Sequence, residues 1–427
     1  MSVNDGYPGP VERESGYVPR LVDARLNEFI RAFPAVLVTG PRAAGKTTSG
    51  SRVAAEVVRL DRPAEAVAFE ADPDAALRNR EEPLLLDEWQ EVPGVLGAVK
   101  RAVDLDPRPG RFVLTGSVRA GLDQRMWPGT GRLVRLPMYG LTEREIVGTV
   151  GAGYSMLDAL ATGDAAAVRL PSVRPDLRQY VDLAMRGGFP AVSLGDMPSE
   201  MRAEWLDGYI SQLLTRDARE VAPGRDSLRL GRYFQALAAH SATEVDHKTL
   251  YDAAGIDRRT ATDYDALLEA LFVVEQVQAW DRNQLKRLTS TPKRYLVDTA
   301  MMAAAIGATT ASVLADGTLL GGVIDTFVVA QLRPEIALRS SRAGRYHLRT
   351  KGGREEIDVI VENPDGRVLA LEIKATASPT RSDARHLLWL RDTIGDRFVA
   401  GAVLHTGPDA FQLDDRILAV PICAIWA

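Results

Sequence analysis

The sequence predicts an α/β protein: an N-terminal parallel sheet covered on both faces, then a helical segment, then a second α/β domain. Three observations predict it. Short apolar, β-branched runs alternate with helical stretches between Ala35 and Leu136, a glycine-bearing turn follows the first run, and an alternating hairpin with acids stands at Glu355–Lys374. Strands spaced by helices need crossover connections, which give a parallel sheet with ligands at the strand ends.

The first run, Ala35-Val36-Leu37-Val38-Thr39, leads into Gly40-Pro41-Arg42-Ala43-Ala44-Gly45-Lys46-Thr47, which fits G-x-x-x-x-G-K-[ST]. Gly40 and Gly45 let the backbone curl until its N–H groups face phosphate oxygens, Lys46 reaches the β/γ-phosphates, and the Thr47 hydroxyl ligates Mg²⁺. The helix opening at Lys46 adds its positive end to the same place, with Thr48 in its first turn. After a strand, this pattern is a P-loop. ATP and Mg²⁺ are the expected ligands.

Three further runs, Ala66–Glu70, Pro83–Glu88 and Arg111–Ser117, read as the next strands. Leu84-Leu85-Leu86-Asp87-Glu88 has the Walker B form, in which Asp87 holds the Mg²⁺ and Glu88 polarises the attacking water; strand alternation points the two carboxylates in different directions. Ser117 stands where a polar residue senses the γ-phosphate, although a plain Gly-Ser turn explains it as well. Phosphoryl transfer also asks for a cation on the developing charge. Arg132, just ahead of Leu133–Leu136, is the favoured candidate beside Arg125, with a solvated surface arginine as the other reading. Arg42 touches either nucleotide or solvent. An arginine supplied in trans would make the protein a homo-oligomer.

At 427 residues the chain is too long for one ordinary core and implies two or three domains. A net charge of −5 excludes a protein that coats nucleic acid over its whole surface, so any DNA or RNA site must be regional. Cys423 is the single cysteine, which rules out an intrachain disulfide and fits a reducing compartment, the cytoplasm. Met1–Arg20 is rich in Gly, Pro and charge, without the apolar core of a signal peptide, and reads as a loose leader. No run is long and apolar enough to predict a membrane partner. The five histidines show no paired ligand spacing.

In the middle, Trp205, Tyr209, Ile210, Leu213 and Leu214 have helical spacing after the turn Gly187-Gly188-Phe189-Pro190, which marks the way out of the first domain. Lys248–Thr262 reads as helix, glycine turn, and a second helix capped by Asp257. With Phe272–Val277 and Arg294–Val297 as two ribbon strands, this is a winged helix. Its Arg258, Arg259 and Thr260 would face a DNA groove, unless the module serves as a lid or a protein contact.

In the C-terminal hairpin, Glu372-x-Lys374 places both side chains on one face, and the pairing can bring Asp358 opposite Glu372. Two carboxylates and an ammonium on one sheet face suit metal-assisted phosphodiester hydrolysis: Asp358 and Glu372 hold Mg²⁺, Lys374 orients the water, and Asp325 on an earlier helix completes the set. The spacing matches the D-x(n)-E-x-K signature of endonuclease-like folds. Upstream, Arg333, Arg339, Arg342, Arg345, Arg349, Lys351 and Arg354 form a basic stripe that reads as a phosphate contact or a solvated face.

On these motifs the chain resembles a family of bacterial and archaeal AAA-type ATPases. In that family a P-loop domain precedes a winged-helix segment and a C-terminal domain of PD-(D/E)XK, endonuclease-like fold. The resemblance runs through Gly40–Thr47, Leu86-Asp87-Glu88-x-Gln90, Leu114-Thr115-Gly116-Ser117, Gly187–Pro190, Arg216-Asp217, Tyr295-Leu296-Val297-Asp298, Ile357-Asp358 and Glu372-Ile373-Lys374. The family carries Glu where this chain has Asp325. The expected layout is a leader at 1–20, an ATPase domain at 21–200, a helical and winged-helix domain at 201–300 and an endonuclease-like domain at 301–427. The expected function is an ATP-driven switch or motor acting on nucleic acid; an ATP-regulated nuclease and a nucleotide-gated protein scaffold are the alternatives.

Overall fold

The computed structural model describes residues 16–117, 131–222, 224, 226–339, 343–350 and 352–427. Most of the expected leader and the candidate Arg125 lie outside them, as do Arg342 and Lys351 of the basic stripe. The first sheet has five strands, β1 (Ala35–Thr39), β2 (Glu56–Arg59), β3 (Leu84–Asp87), β4 (Phe112–Gly116) and β5 (Leu133–Pro137), in the order β2-β3-β4-β1-β5. All neighbours pair in parallel. β1, β3 and β4 are buried along their whole length, and alternate side chains enter two separate cores, Leu37 and Leu86 on one face, Val36 and Leu85 on the other. The continuous apolar runs therefore reflect burial on both faces.

One expected strand is corrected. Ala66–Glu70 lies in the helix Pro63–Ala71, and the second strand is Glu56–Arg59. Pro63 at the head of the helix loses no hydrogen bond there, and the alanines that follow are strong helix formers. The leader is corrected at its end as well: Arg20 is 5% exposed and packed against the nucleotide loop.

β5 leaves the sheet through Met138–Leu141 into a helical segment. At the expected exit turn, the Leu141 N–H donates to the Gly188 carbonyl at 2.6 Å, and the Gly188 N–H donates to Asp298 at 2.7 Å. Asp298 also caps the helix Thr299–Ala305 through the Met301 N–H. Phe189, Trp205 and Tyr209 stack on one another beside this turn, with centroids 4.8 to 5.6 Å apart. The helix Ser199–Gln212 carries two of these rings and then widens into a π-helical turn, Leu213–Asp217.

Three helices, Ser227–Ala239, His247–Ala254 and Arg258–Ala270, follow with the expected grammar: Gly255 ends the second in left-handed backbone and Asp257 caps the third through the Thr260 N–H. Strands β6 (Val274–Val277) and β7 (Lys293–Leu296) form an antiparallel ribbon. The last sheet joins β8 (Gly344–Arg349), β9 (Glu356–Glu362), β10 (Val368–Lys374), β11 (Phe398–His405), β12 (Phe411–Asp414) and β13 (Ile417–Pro421) in the order β12-β13-β11-β10-β9-β8. β9 and β10 are the expected hairpin. The helix Gly317–Arg339 covers one face, with Val323 and Phe327 against Val359 and Leu371; the helix Arg385–Ile394 covers the other, with Leu387 and Leu390 against Ile360 and Ala370. Among the described residues no helix is long and apolar enough to cross a membrane.

Candidate nucleotide site and C-terminal charge cluster

The first site is built where β1 ends. The Met138 N–H donates to the Thr39 carbonyl at 2.7 Å, and a Cβ added at Gly40 would fall on the Met138 carbonyl oxygen. Glycine is required there by space. Ala43 and Gly45 take left-handed backbone, φ 59° and 93°, and Gly45 opens the six-residue helix Lys46–Ser51. The Lys46 ammonium, 4% exposed, donates to the carbonyls of Gly40 at 3.1 Å and Pro41 at 2.7 Å. Burial lowers its pKa to about 8, against the raising pull of Glu88 and Asp87. A cation held chiefly by carbonyl dipoles gains from any anion that reaches it.

The two halves of the expected site meet. The Thr47 hydroxyl donates to Asp87 Oδ1 at 2.8 Å, and the Thr115 hydroxyl donates to the same oxygen. Burial pushes the Asp87 carboxyl above its ordinary range, against these hydrogen bonds. Glu88, the next residue, turns into left-handed backbone (φ 52°), so its side chain leaves the strand direction. Its carboxylate accepts from Ser117 Oγ at 3.2 Å and from the Gln90 amide. Lys46, Thr47, Asp87, Glu88 and Ser117 thus share the end of the sheet where β1, β3 and β4 finish.

Arg132 does not join them. Parallel pairing sets Leu133 beside Ala35 and Pro137 beside Thr39, so Arg132 stands at the opposite end of the sheet, separated from the loop by about 16 Å of strand. It pairs instead with Asp104 on the helix Gly94–Leu105. The arginines at the loop are others. Arg20 donates to the Ala44 carbonyl at 2.8 Å and to the Tyr139 carbonyl at 2.7 Å, and pairs with Glu145 at 3.1 Å. Arg42 pairs with Asp217 of the π-helical turn at 3.1 Å, and its carbonyl accepts from the Tyr209 hydroxyl at 3.3 Å.

At the C-terminal site, Asp325 and Asp358 do converge, but on an ammonium. Lys293 of β7 donates to Asp325 Oδ2 at 2.6 Å and to Asp358 Oδ1 at 2.9 Å. The Tyr295 hydroxyl donates to Asp325 Oδ1 at 3.3 Å, and the Ile373 N–H to Asp358 Oδ2 at 2.9 Å. Glu372 accepts from Lys374 at 2.7 Å; burial and then the charge on Asp358 push its carboxyl above the ordinary range. Among the described residues no three His, Cys, Asp or Glu side chains are arranged to hold a metal ion. The three acids expected to hold Mg²⁺ thus face ammonium groups, Asp325 and Asp358 the one on Lys293 and Glu372 the one on Lys374.

The basic stripe is corrected in part. Arg333 and Arg345 both pair with Glu275, Arg339 with Asp158, and Arg349 with Glu244, whereas Arg354 is exposed. Their sequence neighbours carry one acid, but their spatial neighbours supply the rest.

Over 407 residues the chain is 30% identical to the uncharacterized protein Rv2008c of Mycobacterium tuberculosis, spanning 93% of this chain and 82% of that protein; Mb2031c of Mycobacterium bovis matches equally. The chain belongs to their family. A family model described as an AAA domain matches residues 32–147, and two domains of unknown function, DUF8612 and DUF4143, match 177–312 and 320–425. Among solved structures, the Walker-type ATPase PABY2304 of Pyrococcus abyssi is similar at 12% identity with a TM-score of 0.41, over 70% of this chain and 99% of that one. The N-terminal part is an AAA-type P-loop domain.

In this AAA-domain protein, the placements of Arg20, of the Arg42–Asp217 pair and of Lys293 are not legible from neighbouring residues in the sequence. Only Lys293 left a usable signal: in Lys293-Arg294-Tyr295, strand alternation puts lysine and tyrosine on one face.

Proposed function

We propose that the protein is an ATP-hydrolysing switch whose nucleotide site drives the helical and C-terminal parts. The single observation that carries this reading is the meeting of Thr47 with Asp87 at 2.8 Å beside Glu88, held by Ser117 at 3.2 Å. Lys46 would leave its carbonyl partners for the phosphates, and residues 40–48 would line their site. Thr47 and Asp87 would hold Mg²⁺, whose charge would offset that on the phosphate oxygens. Glu88 orients the water and takes its proton, while Ser117 keeps the carboxylate aimed. The test is ATP turnover by the full chain with no additive, with DNA and with RNA, alongside Lys46→Ala. Turnover lost in the variant supports the reading, and a wild-type chain that binds no ATP ends it.

Transmission follows from contacts at the loop. Incoming phosphate competes with Asp217 for the Arg42 guanidinium, and release of Asp217 frees the helix that carries Trp205 and Tyr209. That helix packs through Phe189 on the Gly188–Asp298 turn, which leads into the ribbon β6–β7. We read the three helices and ribbon as a winged helix and the six-stranded sheet as endonuclease-like; Arg258 and Arg259, exposed at the head of their helix, are the cations it offers to DNA or RNA. Asp217→Asn should keep ATP turnover within about fivefold of wild type, since asparagine fills the same space and keeps an oxygen to accept from Arg42. Hydrogen exchange over residues 199–221 should respond to ATP in the wild type and not in the variant. An equal response in both would remove Asp217 from the path.

A further inference from the structure

We propose that Lys293 is the resident cation of the C-terminal carboxylate site: its ammonium replaces the divalent ion such a site would take and ties the β6–β7 ribbon to the last sheet. This part of the protein is then built without metal and does not cleave phosphodiesters.

Asp325 and Asp358 offer four oxygens, and all four are engaged within the chain, by Lys293 twice, by Tyr295 and by the Ile373 N–H. A Mg²⁺ or Mn²⁺ ion needs about six oxygen donors at close range, several of them water. It would have to expel an ammonium that is 2% exposed and sits between both aspartates. A buried ammonium separated from its carboxylates has no water to compensate it.

The lysine also has no route out. β7 is paired along its length with β6, Lys293 opposite Val277. Beyond the ribbon, β6 runs on beside the edge strand β8: the His347 N–H donates to the Gln278 carbonyl at 3.1 Å, and the Trp280 N–H donates to the His347 carbonyl at 2.6 Å. Arg287, in the short helix Gln284–Thr289 between the ribbon strands, grips both oxygens of Glu362 at 2.6 and 3.0 Å. Arg345 of β8 and Arg333 of the long helix both reach back to Glu275 of β6. Four ionic contacts thus stitch the ribbon to the last domain, and Lys293 is the one that ends on the carboxylates a metal would need. In alternation, Lys293 and Tyr295 face Asp325 while Arg294 faces Asp265 on the ribbon's own helix. β7 is shared by both modules.

The test is thermal melting of the full chain without nucleotide, with and without millimolar Mn²⁺ as the probe. The wild-type midpoint should not move with Mn²⁺. The double variant Asp325→Asn/Asp358→Asn strands the buried ammonium and should melt about 10 °C lower, and adding Lys293→Met to it should recover most of that loss, since a neutral cluster needs no counter-ion. Lys293→Met alone, with its carboxylates released, should gain a Mn²⁺-dependent rise in midpoint. A wild-type midpoint that climbs with Mn²⁺ and stops climbing in Asp358→Asn overturns the proposal. So does a double variant as stable as the wild type, because the ammonium would then be indifferent to its partners. If the double variant does not fold, the same decision rests on wild type against Lys293→Met: Mn²⁺ stabilising the first and not the second overturns it.

Discussion

Glu88→Gln should lower kcat for ATP hydrolysis by about 10² to 10⁴-fold, the usual range for losing a positioned general base, while ATP affinity and melting temperature stay near those of the wild type. The separation follows from what each group touches. Lys46 and the loop backbone face the phosphates, whereas Glu88 sits one residue past the strand, turned aside by its left-handed backbone and steadied by Ser117 and Gln90. Glutamine keeps the length of the side chain and an oxygen to accept from Ser117, but it cannot take a proton. Single-turnover hydrolysis and equilibrium ATP binding on the same preparation measure the two effects. Unchanged turnover, or an equal loss of binding, would take Glu88 out of the catalytic role.

Gly40→Ala should be among the most damaging single substitutions in the chain, costing about 4 kcal/mol or more in folding stability and abolishing ATP binding. The new methyl would fall on the Met138 carbonyl oxygen, and that carbonyl cannot step back. Its residue's N–H is tied to the Thr39 carbonyl at 2.7 Å, and β5 runs directly into it in register with β1. Either the loop or the strand must move, and each carries the site. Gly97→Ala is the control. It lies inside the helix Gly94–Leu105, where the added methyl meets only the end of the half-exposed Arg101 side chain at 3.2 Å, so it should be neutral or stabilising by up to about 1 kcal/mol. Denaturant unfolding of the two variants against wild type decides; an equally mild effect at Gly40 would mean that β5 is not held where it appears.

Legibility in the sequence followed the range of the determining forces. Gly40–Thr47 and Leu84–Glu88 were readable because each motif is a strand end whose local geometry dictates its residue types. The hairpin at Asp358 and Glu372 and the helix–turn–helix at Lys248–Thr262 were readable for the same reason, through period-two alternation and the Asp257 cap. Ala66–Glu70 is ambiguous because a short apolar run suits helix or strand, and Pro63 at the helix start is the local cue that favours helix. Arg132 failed differently. A residue just before a strand looks close to the next strand's motif in sequence, but a parallel sheet sends it to the far end.

By itself, the sequence determined the strand-to-helix turn of the P-loop and the C-terminal hairpin, since spacing within one turn or strand is enough to specify both. Only the tertiary structure decided which charges face each other. Arg42 with Asp217, the arginines of the stripe with Glu275 and Glu244, and Lys293 between Asp325 and Asp358 are all pairings across long stretches of chain. A charge's meaning depends on its partner and its burial, and neither is present in a local pattern; the same acids that read as metal ligands became, in the folded chain, the counter-ions of a lysine.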